Sequence, residues 1–451
     1  MLGIDQLLPW VEHLCDGHAT ASRRAAGGNR CAGWAIDVQK PDTSITRVFL
    51  RYQTFEDPAG GPYTVRREAE VYAALRETDI LIPRLIGVHP RDQAMLTECA
   101  EGSARYRSLT DLDEKASLAR QCVEALARLH STDAAALHLP SYGHFREISA
   151  AVRAEIRTWY AMYVASGRTD PLIEFGRAWL EDHIPAVSGA AVLVHGDAGP
   201  GNFMFEAGRL TALVDWELAH LGDPMEDLAW FSLRSVLEPA PDFPKRLEEY
   251  EAASGSPIDL DRIAYHRAFV SWRVVIIRHC NVSGRAGASV ISRALNRRLL
   301  IEAIDAVEGN PVAVDEPIQS APREYDELFA QVLEDIRTGI LPGCRDDIEA
   351  AQTAKDVAKA VKFMRQLYNI GPEAERWELD RLRSLLGSSP STLAAGRSAL
   401  AERIAAGAID TGDARALFRQ CAALETLLAS GAMGALASRS FPPLTDSSSH
   451  E

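Results

Sequence analysis

The alternation of apolar and polar positions divides this chain into stretches of different period. Residues 4–15 predict a short amphipathic helix, followed by a Gly-rich turn at Gly27-Gly28-Asn29. Strand-like runs come next at 31–38 and 46–52, the second containing Val48-Phe49-Leu50-Arg51. Residues 64–76 read as a helix with Val71 and Leu75 four apart on one face, and 94–98 as a further strand. Several strands with a single helix predict a small, mainly antiparallel lobe. From about residue 110 the period becomes helical: Asp113–His130 carries Leu118, Cys122, Leu126 and Leu129 at helical spacing. Residues 191–216 interrupt the helices with two strand-like segments and a turn, and helices resume to about residue 308.

The stretch 309–322 has turn formers at both ends and no period, which predicts a linker. Residues 323–435 read as an Ala- and Leu-rich helical module. The tail at 436–451 has little to bury, and its composition predicts disorder. There is no internal repeat.

Composition narrows the function classes. At 451 residues the chain is long enough for two domains. Its net charge of -15 repels phosphate backbones, which argues against a nucleic-acid partner. The seven cysteines include no CxxC pair and are odd in number, so reduced cytoplasmic thiols are expected rather than a disulfide framework or zinc site. Met1-Leu2-Gly3-Ile4-Asp5 lacks a basic region followed by an apolar run, so no signal peptide is expected. No run of about 18 uncharged apolar residues exists to span a membrane.

The segment that carries chemistry is Leu193-Val194-His195-Gly196-Asp197-Ala198-Gly199-Pro200-Gly201-Asn202, continuing to Leu213-Val214-Asp215-Trp216-Glu217. An apolar strand delivers the chain to a polar loop holding Asp197 and Asn202, and the glycines and Pro200 permit a tight path between them. Residues 203–206 run out, 206–209 turn, and 210–214 return. Out and back are nearly equal in length, which sets Asn202 and Asp215 at the same open end of a hairpin, beside Asp197. An amide oxygen and a carboxylate there form a hard oxygen site suited to Mg²⁺, which needs few protein ligands when phosphates and waters complete its shell. Asp197 has no cation partner in the local sequence and can take or orient the proton of a hydroxyl. In-line phosphoryl transfer to an alcohol needs this combination.

The pattern HGDxxxxN, then a hydrophobic hairpin, Asp215-Trp216-Glu217 and Gly222-Asp223-Pro224-Met225-Glu226-Asp227, resembles the catalytic and metal loops of the aminoglycoside phosphotransferase and choline kinase family. The resemblance runs over residues 1–308 in order and spacing and is sharp at 193–231. It implies an α+β, bilobal, protein-kinase-like fold: a small β-rich N-lobe (about 1–100), a helical C-lobe (about 101–308) and an added C-terminal α-helical module. It implies Asp197 as catalytic aspartate and Asn202 and Asp215 as Mg²⁺ ligands, with ATP (or GTP) as co-substrate. Gly27, Gly28 and Asn29 resemble a phosphate-covering loop. Arg51 falls where relatives place a phosphate-binding Lys or, in some branches, Arg; Glu68 matches its acidic partner. Glu98 and Cys99 fall at the hinge where relatives bind adenine through backbone. The implied acceptor is an aminoglycoside, choline, homoserine, a hydroxyacyl thioester such as a hydroxyacyl-CoA, or another alcohol. The helical module resembles an extension found on some members, suited to homo-oligomer formation or to covering the active site. The alternative is a catalytically silent nucleotide-binding or scaffolding pseudokinase, motivated by Arg51 and the extra module.

Singly, these residues have plainer readings. His195 reads as a loop-bracing residue, and His130 as a packed histidine ending an apolar helix. Asp223 reads as a helix N-cap with Glu226 completing a capping box, and Asp227 as a brace of the catalytic loop or a helix N-terminal charge. Trp159, Tyr160, Tyr163, Phe269 and Trp272 read as core.

Overall fold

The structure, a computed structural model, describes residues 2–25, 31–54, 61–280, 286–309, 314, 318 and 322–445. The glycine-rich turn at Gly27, Gly28 and Asn29 lies outside them, as does most of the linker at 309–322. In chain order the first elements are α1 (Ile4–Cys15), β1 (His18–Arg24), β2 (Cys31–Gln39), β3 (Ile45–Gln53), α2 (Val65–Ala74), β4 (Leu85–Val88) and β5 (Ala94–Glu98). Then come α3 (Leu112–Ser131), α4 (Ile148–Ala165), α5 (Pro171–Asp182), β6 (Val192–Val194), β7 (Phe203–Glu206), β8 (Arg209–Leu213) and β9 (His220–Gly222). The remainder is helical: α6 (Pro224–Leu237), α7 (Phe243–Ser254), α8 (Leu260–Cys280), α9 (Ala286–Glu308), α10 (Asp326–Asp335), the short α11 (Leu341–Gly343), α12 (Ile348–Leu386), α13 (Leu393–Ala405) and α14 (Thr411–Met433).

The chain forms two compact units, one of Met1–Thr158, Pro185–Ile263 and Phe441–Glu451, the other of Trp159–Ile184 and Ala264–Ser440. In the first, a five-stranded antiparallel sheet has the order β1-β2-β3-β5-β4. Leu7 and Val11 of α1 pack with Ile36, Val38, Val48, Leu50 and Leu96 on one face of that sheet. Strand side chains alternate, so Arg51 points away from this core, to the other face. Strand β1 has no apolar period to announce it: it is an exposed edge strand, and Arg23 and Arg24 mark it as one that resists further pairing.

The first unit also holds two small ladders, β6 with β9 and β7 with β8. Gln121 of α3 clamps the β7–β8 hairpin, donating to the Gly208 carbonyl at 2.9 Å and accepting from the Leu210 amide at 2.9 Å. The second unit is helical and laced by buried ion pairs. Arg297 reaches Asp170 (2.6 Å) and Glu425 (3.0 Å), and Arg415 and Arg419 converge on Asp305. Trp159, Tyr163, Phe269 and Trp272 are buried, as core residues should be. Where composition predicts disorder from 436 on, Arg298 holds the carbonyls of Leu436, Ala437 and Arg439 at 2.7–3.0 Å. Three backbone hydrogen bonds to one guanidinium supply the order that apolar burial does not. None of the seven cysteines is in a disulfide. Among the described residues no helix is long and apolar enough to cross a membrane.

Candidate active site

The loop that holds Asp197 leaves β6 through a turn that only glycine fits. Gly196 has φ +77°, and a Cβ there would lie 2.1 Å from the Leu218 carbonyl oxygen. Asp227, near the start of α6, braces the loop. Its carboxylate accepts from the amides of His195 (2.7 Å) and Gly196 (2.9 Å) and from His130 Nε2 (3.0 Å). With the His130 proton on Nε2, Nδ1 accepts from the Tyr250 hydroxyl at 2.8 Å. Burial opposes ionisation of Asp227, yet the His130 bond and backbone amides outweigh it and hold the carboxyl below its usual range. His195 also braces: its Nε2 donates to the Val214 carbonyl at 3.0 Å, its ring packs on Trp216 with centroids 4.5 Å apart, and burial holds it neutral. Asp223 is the N-cap of α6, accepting from the Met225 amide. The expected capping box is not closed, because the Glu226 carboxylate pairs instead with His220 Nε2 at 3.1 Å.

The hairpin closes as its spacing demands. Phe203 pairs with Leu213, and the Val214 amide donates to the Asn202 carbonyl at 3.0 Å. Asp215, the next residue, therefore sits beside Asn202. The tip, Ala207-Gly208, has φ +48° and +73°, the two positive values a tight right-twisted hairpin requires. Asp215 itself is left-handed (φ 70°, ψ 53°), a conformation that costs a non-glycine residue on the order of 1 kcal/mol and is found chiefly where a side chain must be aimed. Asn202 Nδ2 donates to both the Asp197 carbonyl and its Oδ2, each at 2.8 Å, so the amide oxygen faces away from Asp197.

Two arginines complete the cluster. Arg51 Nη2 donates to Glu217 at 2.6 Å and comes within 2.8 Å of Asp215 Oδ1; its Nε lies 2.9 Å from Glu68 on α2. One guanidinium thus faces three carboxylates. Burial raises the Glu68 carboxyl to about 8 against the pull of Arg51, and Asp215 and Glu217 push the same way. Arg234, on α6, forks Asp197: Nε donates to Oδ1 at 2.8 Å, Nη2 donates to Oδ2, and Nη1 holds the Pro200 carbonyl at 3.1 Å.

The structure thus gathers Asp197, Asn202, Asp215, Arg51 and Glu68 into one site. The side chains of Glu98 and Cys99 do not join it. Glu98 is paired with Arg84 at 2.6 Å, and the Cys99 amide donates to the Arg47 carbonyl at 3.3 Å. Local motif reading overlooks Arg234, and it names Glu217 without its tie to Arg51. A signal for Arg234 existed: it stands seven residues after Asp227, two helical turns on the same face.

Among the described residues no group of three or more His, Cys, Asp or Glu is arranged to hold a metal by itself. The oxygen set still fits a hard divalent ion. Asp215 Oδ1 is buried with no aligned hydrogen bond, and three carboxylates share one guanidinium.

A sheet-bearing lobe and a braced Asp loop with a returning hairpin define a kinase-like small-molecule phosphotransferase. Residues 48–266 match the profile of the phosphotransferase enzyme family. The fold agrees with a solved structure of a thermostable mutant of an aminoglycoside phosphotransferase in its apo form, at 14% identity and a TM-score of 0.50 over 67% of this chain and 100% of that one. The chain is 36% identical over 220 residues to acyl-CoA dehydrogenase family member 11 of Pongo abelii and 35% identical to that of Homo sapiens. Each match takes in 45% of this chain and 27% of the relative's length.

Proposed function

We propose that this chain moves the γ-phosphoryl group of ATP, with Mg²⁺, onto a hydroxyl of a small molecule. The observation that carries the reading is the hairpin that returns Asp215 beside Asn202, with the Asn202 amide bonded to Asp197. In this reading Asn202 and Asp215 would hold Mg²⁺, which when bound neutralises phosphate charge. Arg51, steadied by Glu68, grips the phosphates. Asp197 orients the acceptor hydroxyl and takes its proton, while Arg234 keeps the carboxylate aimed. The glycine-rich segment at 27–29 and the backbone of Glu98 and Cys99 would contact the nucleotide. Residues 1–308 would form the phosphotransferase part and 323–435 an accessory module. Cysteines outside any disulfide suit a cytoplasmic enzyme.

For the acceptor, a hydroxyacyl-CoA comes before an aminoglycoside or choline, because the relatives at 35–36% identity are named for acyl-CoA chemistry. The test is ADP release with Mg-ATP, and with GTP in parallel, on hydroxyacyl-CoA, aminoglycoside and choline panels, beside Asp197→Asn. Turnover of one panel, lost in the variant by roughly a hundredfold or more, is expected for a group acting on the proton. A substrate consumed by the variant at the wild-type rate would remove Asp197 from its role. One observation favours a silent nucleotide-binding protein instead: Asp197 and Asp215 are both engaged by arginines. Stabilisation by Mg-ATP with no turnover on any panel decides for that reading.

A further inference from the structure

The helices α10 and α12 lie antiparallel. Phe329 and Leu333 of α10 and Ile336, just past its end, pack with Ala354, Ala358 and Val361 of α12, and Asp326 pairs with Arg365 and Asn369 at the other end. These contacts fix which side of each helix faces inward. The residue just before each inward position is turned about 100° from it. In an antiparallel pair that rotation carries both helices' preceding residues to the same side. On α12 those residues include Thr353, Val357, Ala360 and Met364, and Leu367, three further on, continues their spacing; leading into and along α10 they include Tyr325, Leu328 and Val332.

Their spacing is alternately four and three. On α12 it continues from Ala350 to Gly371, three heptads or about 30 Å of helix, and stops where Pro372 breaks the ladder. A seam of period 3.5 is what a helix shows to another helix, and in this protein it faces solvent. Tyr325, Leu328, Val332, Val357, Met364 and Leu367 are exposed by 38% (Val332) to 56% (Leu328). The helices α9 and α14 that pack on α12 leave this side uncovered.

We propose that the face made by Tyr325, Leu328, Val332, Val357, Met364 and Leu367 is a dimer interface, in which a second copy's α10–α12 pair completes a four-helix bundle. A two-helix face with one seam per helix is half of such a bundle, and an identical half supplies matching seams about a two-fold axis. The exposed apolar side-chain area is on the order of 500 Å² per copy, so a pair would bury about 1,000 Å² in these side chains alone, the threshold for a biological interface before flanking residues are counted. The inference rests on the helical module by itself and does not depend on the phosphotransfer reading.

Sedimentation equilibrium or light scattering of the full chain at about 20 μM tests it. Wild type should be a dimer. Met364→Glu and Leu328→Glu, each placing a charge in the seam, should both give monomers with unchanged circular dichroism and thermal transition. Arg337→Glu, on an exposed residue off the seam, should remain dimeric. A monomeric wild type, as expected if this face serves a different protein, overturns the proposal. So does a dimer that survives both seam variants.

Discussion

Replacing Asp227 by Asn keeps its size and removes one charge from a fully buried position. The carboxylate accepts three hydrogen bonds, two from the catalytic-loop amides and one from His130. Bonds to a charged acceptor contribute about 1.5–3 kcal/mol each, and in the variant an NH₂ group faces at least one of those donors. Breaking up a buried charged network of this kind costs about 3–5 kcal/mol. For a cooperative unit of a couple of hundred residues this lowers Tm by roughly 6–20 °C. Acid adds a signature. The Asp227 carboxyl is held below its unfolded value, so its contribution is present above about pH 4 and is lost as pH falls through the folded pKa. The gap between wild type and variant should therefore narrow below pH 4. Differential scanning fluorimetry between pH 3.5 and 8 measures both effects without knowledge of the substrate. A Tm within 1 °C of wild type at pH 7 would refute the account of Asp227 as the anchor of the loop.

Glu68→Gln mimics the protonated acid. Because the folded carboxyl titrates near 8 and the unfolded one near 4.3, wild type loses stability relative to the variant as pH rises across that interval, and the difference is flat above it; a parallel pair of Tm–pH curves would contradict the raised value. Gly196→Ala drives a Cβ into the Leu218 carbonyl at a left-handed φ and should cost about 3 kcal/mol or more in urea unfolding, whereas an unchanged midpoint would show the loop is free to shift. Arg234→Met releases Asp197 from its fork and is expected to lower kcat about tenfold or more while the KM for nucleotide moves less than threefold. A KM effect alone would mean that Arg234 serves binding rather than aim.

What the sequence disclosed is what is local. The hairpin closes within a dozen residues, so equal strand lengths are enough to seat Asp215 beside Asn202. Helix α1 carries a complete helical period and strand β5 a short apolar run, and both appear with the bounds those patterns predict. The edge strand β1 carries no apolar period because neither face of it is buried, and β4 is too short to show one. The Glu226 carboxylate turns to His220 rather than to its own helix end because a buried imidazole competes for it. Partners distant in sequence escape altogether: Glu217 is 166 residues from Arg51, and nothing within a motif window joins them.

That last contact bears on the departure from lysine at residue 51. An ammonium is a compact point charge, and its three donors radiate from one atom. Arg51 presents Nε to Glu68 while Nη2 faces Asp215 and Glu217, so its contacts spread over two nitrogens held in one plane. A lysine reaching Glu68 would bring its single nitrogen to one side of the site and leave Asp215 or Glu217 less well balanced. Glu217 supplies the reason for the fork: it adds a third carboxylate to the pair that Asp215 and Glu68 make. Arg51 and Glu217 are therefore best understood as a matched choice. Arg51→Lys alone should weaken the tie between β3 and the loop after β8, and Arg51→Lys combined with Glu217→Gln should recover part of that loss. A double variant no more stable than the sum of the two single changes would show that the guanidinium serves the three acids independently.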